Sequence, residues 1–274
     1  MPRLGALAIV ISLLAGSGPA VAAPARIVSL NLCADLLALL FAAPGQIAAI
    51  TRLAADEELS PLAERARSVR AIDGRAEDVI TLQPDLVLVG AFTARPTVRL
   101  LQRLGVPMTE VPIVTGIDAA KAEMVRIASL LGNREAGLRE AAIMDARLAG
   151  LLRPREPRPR AIVYQANGIV AGTSSLAHDV LVRAGIINVA ASLGLPQGNF
   201  LPIENMLLAR PDLLVLESYR PDLPSLAQNM LSHPAIRASL AERRVAAIPS
   251  RLWTCPGPWL ADATEELARL GGDL

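Results

Sequence analysis

Two stretches of this chain repeat one another at an interval of 127 residues. GRAEDVITLQPDLVLVG runs from Gly74 to Gly90, and PIENMLLARPDLLVLES runs from Pro202 to Ser218. Glu77 and Glu204 each stand seven residues before a proline, Pro84 and Pro211, and each proline is followed by Asp-Leu. An acid at the head of a short apolar-patterned run reads as a helix start, because unpaired backbone N–H groups there carry partial positive charge. The Pro-Asp pair reads as a turn, and the apolar runs Leu86–Val89 and Leu213–Leu216 read as buried strands. A unit that occurs twice implies two halves, each built around its own copy.

Between the copies lies NREAGLREAAIMDARLAGLL, Asn133–Leu152. Leu138, Ala141, Ala142, Met144, Leu148 and Leu151 or Leu152 recur at three- and four-residue spacing, with Asn133 as a cap and Pro154, Pro157 and Pro159 as a stop. This predicts an amphipathic helix of about five turns, roughly 30 Å long. Elsewhere strands and helices alternate. Arg26–Leu30, Ile47–Ile50, Val69–Ile72 and Val106–Val111 read as strands of the first half. Arg160–Tyr164, Ile169–Ala171 and Val245–Ile248 read as strands of the second. Asp118 reads as the cap of a helix Ala119–Leu131, and further helices are expected at Leu176–Ala184, Leu223–Leu231, Pro234–Ala241 and from Trp259 to Leu270. The fold class is α/β with mostly parallel sheets. The expected division is an N-terminal lobe at 23–132, a linking helix at 133–153 and a C-terminal lobe at 154–274.

The first 22 residues join Arg3, an apolar run Leu4–Leu14 and an Ala20-Val21-Ala22 site, the pattern of a cleaved export signal. That run is too short to span a bilayer. A net charge of +1 gives no footprint for nucleic acid. The expectation is an exported, periplasmic monomer.

In open parallel sheets, ligands sit beyond the carboxyl ends of the strands. The loops holding Asn31 and Cys33, Phe92 with the nearby Arg95, Tyr164 and Asn167, and Arg251, Trp253 and Cys255 all fall there. In a chain with 3% aromatic residues, finding Phe92, Tyr164, Phe200 and Trp253 in such loops marks them as a candidate ligand floor. Arg95 and Arg251 could meet an anionic ligand. No nucleophile-elbow, zinc-protease, Walker or dinucleotide motif is present. His178 and His233 read as helix-surface residues rather than metal ligands. Export to an oxidising compartment favours a disulfide between Cys33 and Cys255, while a cleft position for both would favour free thiols at the ligand site. Both possibilities stand on the sequence. A thiol-dependent enzyme is the reading from another class, but no histidine is placed beside either cysteine.

RIVSLN at Arg26–Asn31, the doubled Glu-x6-Pro-Asp-Leu unit and the single long helix between halves resemble the periplasmic binding proteins of metal-chelate ABC importers, the helical-backbone class III type. The resemblance covers the whole mature chain. It implies two Rossmann-like lobes joined by one backbone helix, with a ligand cleft between the lobes and little hinge motion. It also implies partners: a permease with its ATPase, docked through Glu77 and Glu204, and a ferric siderophore, corrinoid or haem as cargo. The primary expectation is a ferric siderophore or similar metal chelate, with cobalamin as the alternative. In the cobalamin binders a tryptophan precedes each docking glutamate by six residues, and here Ala71 and Gly198 stand there. No cofactor, no directly bound metal and no catalysis are expected.

Overall fold

The structure, a computed structural model, describes residues 22–151, 156–196, 198–218 and 244–273. The export signal, His233 and the helices expected at Leu223–Leu231 and Pro234–Ala241 lie outside the described residues. The first lobe contains β1 (Ile27–Ser29), α1 (Leu32–Phe41), β2 (Ile47–Thr51), α2 (Ala63–Ala66), β3 (Ala71–Ile72), α3 (Ala76–Thr81), β4 (Leu86–Gly90), α4 (Arg95–Arg103), β5 (Met108–Val111) and α5 (Ile117–Leu130). Its sheet runs β3-β2-β1-β4-β5 and all its pairings are parallel. After α6 (Arg134–Ala149), the second lobe contains β6 (Arg160–Tyr164), β7 (Ile169–Val170), α7 (Leu176–Arg183), β8 (Ile187–Asn188), α8 (Val189–Ser192), β9 (Asn199–Phe200), α9 (Ile203–Leu208), β10 (Leu213–Ser218), β11 (Arg244–Pro249) and α10 (Trp259–Gly272). This sheet is mixed: β11, β10 and β6 are parallel, while β7 and β9 add antiparallel pairs beside β6.

The central strands are buried on both faces, as parallel strands covered by helices must be. Alternate residues serve two cores, because successive side chains in a strand point to opposite faces. In β4, Leu86 and Leu88 enter the core between the lobes, and Val87 and Val89 enter an outer core. In β10, Leu213 and Val215 enter the same inter-lobe core, and Leu214 packs outward. The two copies of the repeat therefore bury corresponding residues in one shared cluster.

The repeat is also exact in its turns. Gln83 and Arg210, each just before the proline, adopt left-handed backbone at φ 47° and 45°. Each following aspartate then closes the start of the neighbouring strand. Asp85 accepts from the Ala25 and Arg26 N–H groups at 2.7 and 2.9 Å, and Asp212 accepts from Arg160 N–H at 2.8 Å. The Pro-Asp signature thus registers β4 against β1 and β10 against β6.

The linking helix α6 is 16 residues, about 24 Å by its rise, and so shorter than the sequence pattern implied. Asn133 does not cap it; its amide instead donates to Phe41 O at 3.2 Å, tying the helix start to α1. Ala142 is exposed, while Met144, Leu148 and Gly137 are the buried residues. Gly137 lets α6 lie close on α5, since a Cβ there would stand 2.7 Å from Ala128 Cβ and 3.0 Å from Val125 Cα. At its other end, Arg147 reaches the second lobe, donating to Glu265 at 2.8 Å and Asp262 at 2.6 Å on α10. Replacing Gly137 with alanine gains up to about 1 kcal/mol of helix propensity but overpacks a backbone contact at about 1–3 kcal/mol. The expected result of Gly137→Ala is a net loss of stability in chemical denaturation, and a more stable variant would contradict this packing.

Candidate functional site

The carboxyl ends of β5, β6 and β11 converge on a recess of about 160 Å³ between the lobes. Ile113 and Val114, which follow β5, form one wall. Gln165 after β6, Ser175–Ala177 at the start of α7, and Trp253 and Thr254 after β11 form the other. Ser175 caps α7 by accepting from His178 N–H, which fixes that wall's geometry. Ile113 and Val114 were not singled out from the sequence, although the same strand-end rule places them here, and Gln165 and Thr254 entered only as members of the loops 164–167 and 252–255.

The predicted residues divide. Trp253 is 3% exposed, lines the recess, and its indole N–H has no hydrogen-bond partner among the described residues. Phe92 and Phe200 are 84% and 60% exposed, one beyond β4 and the other paired with Ile169 beyond the end of β6. Arg95 and Asn167 are exposed, and Asn167 holds φ 62° in the turn that follows β6. Tyr164 corrects the sequence reading. It is fully buried in the second lobe's outer core and its hydroxyl donates to Leu201 O at 3.0 Å, so it supports the lobe instead of facing a ligand. Burial, then the charge of Glu204, pushes its phenol pKa up. Arg251 is likewise committed, donating to Glu57 O of the first lobe at 3.2 Å. Asn31 is half-buried and spends its side chain as the cap of α1, accepting from Cys33 N–H at 3.0 Å. Gly90 makes room for it, because any Cβ there would overlap the Asn31 amide.

Cys33 and Cys255 are joined as a disulfide, with Cα atoms 5.0 Å apart. Neither sulfur is a free thiol, which removes both the soft-ligand role and the nucleophile of a thiol enzyme. The bridge ties the start of α1 to the loop before α10 across a sequence separation of 222, which a chain-entropy account credits with about 5 kcal/mol.

Glu77 and Glu204 are exposed, each the second residue of its six-residue helix. They occupy equivalent positions on the two lobes, at the starts of the helices that precede β4 and β10 and so toward the carboxyl-end side of each sheet; Glu204 is near enough to Tyr164, the last residue of β6, to raise its pKa.

Asp35, on α1, is the one strongly shifted carboxyl among the described residues. It is buried, accepts from Thr51, and its other oxygen has no partner among the described residues. Burial raises its pKa from 3.8 to about 7, against the opposing hydrogen bonds from Ser29 and Thr51. The folded chain therefore holds this proton where the unfolded chain releases it, and stability falls as pH rises from 4 to 7. The linkage amounts to about 4 kcal/mol. Denaturation at pH 4.5 and 7.5 should show about 3 kcal/mol of that loss in the parent and little of it in Asp35→Asn. An equal pH dependence in both would contradict the assignment.

The profile of the family described as Periplasmic binding protein matches residues 27–252, both lobes and the linking helix. The chain belongs to that family. Among solved structures, the periplasmic heme-binding protein RhuT from Roseiflexus sp. RS-1, in apo form, is 23% identical with a TM-score of 0.73, covering 90% of this chain and 98% of that one. The periplasmic vitamin B12 binding protein BtuF of Vibrio cholerae is 18% identical with a TM-score of 0.66, covering 92% and 99%. An ABC-type Fe3+-hydroxamate transport system from Saccharomonospora viridis DSM 43017 is 21% identical with a TM-score of 0.68, covering 90% and 93%. These likenesses establish the shared fold of the periplasmic binding proteins. No match is found among curated proteins.

Proposed function

We propose that this periplasmic binding protein captures a ferric siderophore or similar metal chelate in the cleft and delivers it to the permease of an ABC importer. The observation that carries the reading is the doubled helix–turn–strand unit, which sets Glu77 and Glu204 in equivalent exposed positions on lobes whose strand ends share one recess. A partner with two related halves can engage such a pair of carboxylates, one per lobe. The chain performs no chemistry. Export through the signal at residues 1–22 puts it in the periplasm, where a disulfide persists.

The recess of about 160 Å³ is below the roughly 300–1,000 Å³ of pockets that enclose a drug-sized ligand. A chelate would seat one edge there and extend outward past the exposed rings of Phe92 and Phe200, with Arg95 available to an anionic group. The unpartnered indole N–H of Trp253 supplies a donor at the inner end. Siderophore, haem and corrinoid all fit this description, and they separate on titration.

Two tests follow from the assigned roles. Replacing Glu77 and Glu204 together with alanine should abolish uptake in cells and leave chelate affinity unchanged, at a stability cost of about 1 kcal/mol apiece. Normal transport by the double variant would remove the docking role. Trp253→Phe keeps an aromatic ring but deletes the N–H. It should leave thermal stability near the parent's and weaken chelate binding about tenfold, the value of one good hydrogen bond. Unchanged affinity would show that the indole serves packing alone.

A further inference from the structure

The recess has walls from different lobes, so its width depends on what holds those lobes at that point. Besides the Arg251–Glu57 and Arg183–Asp118 contacts, two connections bear on its walls. One is the disulfide: Cys255 follows the wall residues Trp253 and Thr254, and its partner Cys33 sits in the first turn of α1. The other is a helix cap supplied across the lobes. Helix α5 begins after Gly116, which has no side chain with which to cap it. Asp179 of α7 fills that role, its Oδ2 accepting from Ile117 N–H at 2.7 Å. A Cβ at residue 116 would stand 3.3 Å from that oxygen, so glycine leaves the carboxylate room to approach. The sequence pattern assigned this cap to Asp118. Asp118 instead pairs with Arg183 at 2.5 Å and Lys121 at 2.9 Å, which hold its carboxyl below the usual range, the Lys121 contact foremost.

The cap joins wall to wall. Ile113 and Val114 lie just before the capped end of α5, and Ser175–Ala177 lie one turn before Asp179 on α7. The carboxylate therefore pins the first lobe's wall to the second lobe's wall, while the disulfide pins the 253–255 loop to α1. Arg183, 3.6 Å from Asp179 through Nε, steadies that carboxylate.

We propose that the Cys33–Cys255 disulfide and the Asp179 cap form a two-point clasp that fixes the width of the cleft, with Asp179 a positioning residue, so that tight ligand capture requires the oxidised chain. This rests on the binding role proposed above. Preorganised walls spare the ligand the entropic cost of ordering them. Two thiols cannot stay within bonding distance, so reduction obliges the start of α1 and the 253–255 loop to part. The reaction balances with a dithiol reductant, which gives up two electrons and two protons to form two cysteine thiols and becomes a disulfide itself. Chain still reduced before export would then bind cargo weakly, and oxidation after export would complete the site.

The test compares the oxidised parent, the dithiothreitol-reduced parent, the Cys33→Ser/Cys255→Ser double variant, Asp179→Ala and Asp179→Asn. Each is titrated with hemin, cyanocobalamin and a ferric trihydroxamate by tryptophan fluorescence, and amide exchange is followed in peptides covering 112–120 and 250–258. Loss of the disulfide or Asp179→Ala should weaken whichever chelate the parent binds by about tenfold, and should speed exchange in the segment beside the lost connection. Asp179→Asn keeps an oxygen for Ile117 N–H and should stay within about threefold of the parent. Exchange unchanged in both segments, or an Asp179→Asn variant as weak as Asp179→Ala, would overturn the clasp. If the oxidised parent binds none of the three chelates, the ligand assignment fails, and the exchange rates still decide the clasp.

Discussion

Side chains from α1, α5, α6, α7 and α10 meet in one apolar cluster that both sheets share: Leu36 and Leu37, Met124 and Ile127, Met144 and Leu148, Val180 and Leu181, Leu260 and Leu267. Alternate residues of β4 and β10 drain into it from opposite sides. Separating the lobes would expose this surface to water, at about 25 cal/mol for each Å² of apolar area. The linking helix is therefore not a bare rod between two independent bodies. It lies along α5 through Gly137 and is clamped to α10 through Arg147, whose guanidinium pKa is raised by Glu265 and Asp262. The segments after β5, β6 and β11 meet at the recess, and this shared core holds the lobes that carry them together.

Much of this was legible in the residues. The doubled Glu–Pro-Asp unit appears twice in space with the same left-handed residue before the proline and the same aspartate closing the next strand. That consistency arises because every part of the unit is local in sequence. What involves distant partners was not legible. Asn133 and Asp118 look like caps by residue type, yet one bonds to α1 and the other to Arg183, while the true cap of α5 is donated from the other lobe. Gly137 is a poor helix former by residue type, yet its lack of a side chain is what lets α6 lie close on α5.

The cleft shows the same division. The rule that ligands gather at the carboxyl ends of parallel strands located the recess, but the rule does not say which side chain at a strand end turns inward. Tyr164 and Arg251 were drawn into the lobe and the lobe junction, and Ile113, Val114, Gln165 and Thr254 took places in the wall. The polar atoms left without partners mark where the fold has accepted a cost. Trp253 Nε1 lies at the recess, and Asp35 Oδ1 lies buried near the strand ends of the first lobe. A buried donor or carboxyl oxygen without a partner costs about 1–3 kcal/mol.

The central claim is that the cleft carries a metal chelate. It is tested most directly by the absorbance spectrum and metal content of the protein purified, without refolding, from the periplasm of its own metal-replete cells. The account predicts a chromophore that co-purifies with the chain in stoichiometric amount and contains iron or cobalt. A colourless, metal-free protein from such cells would contradict it.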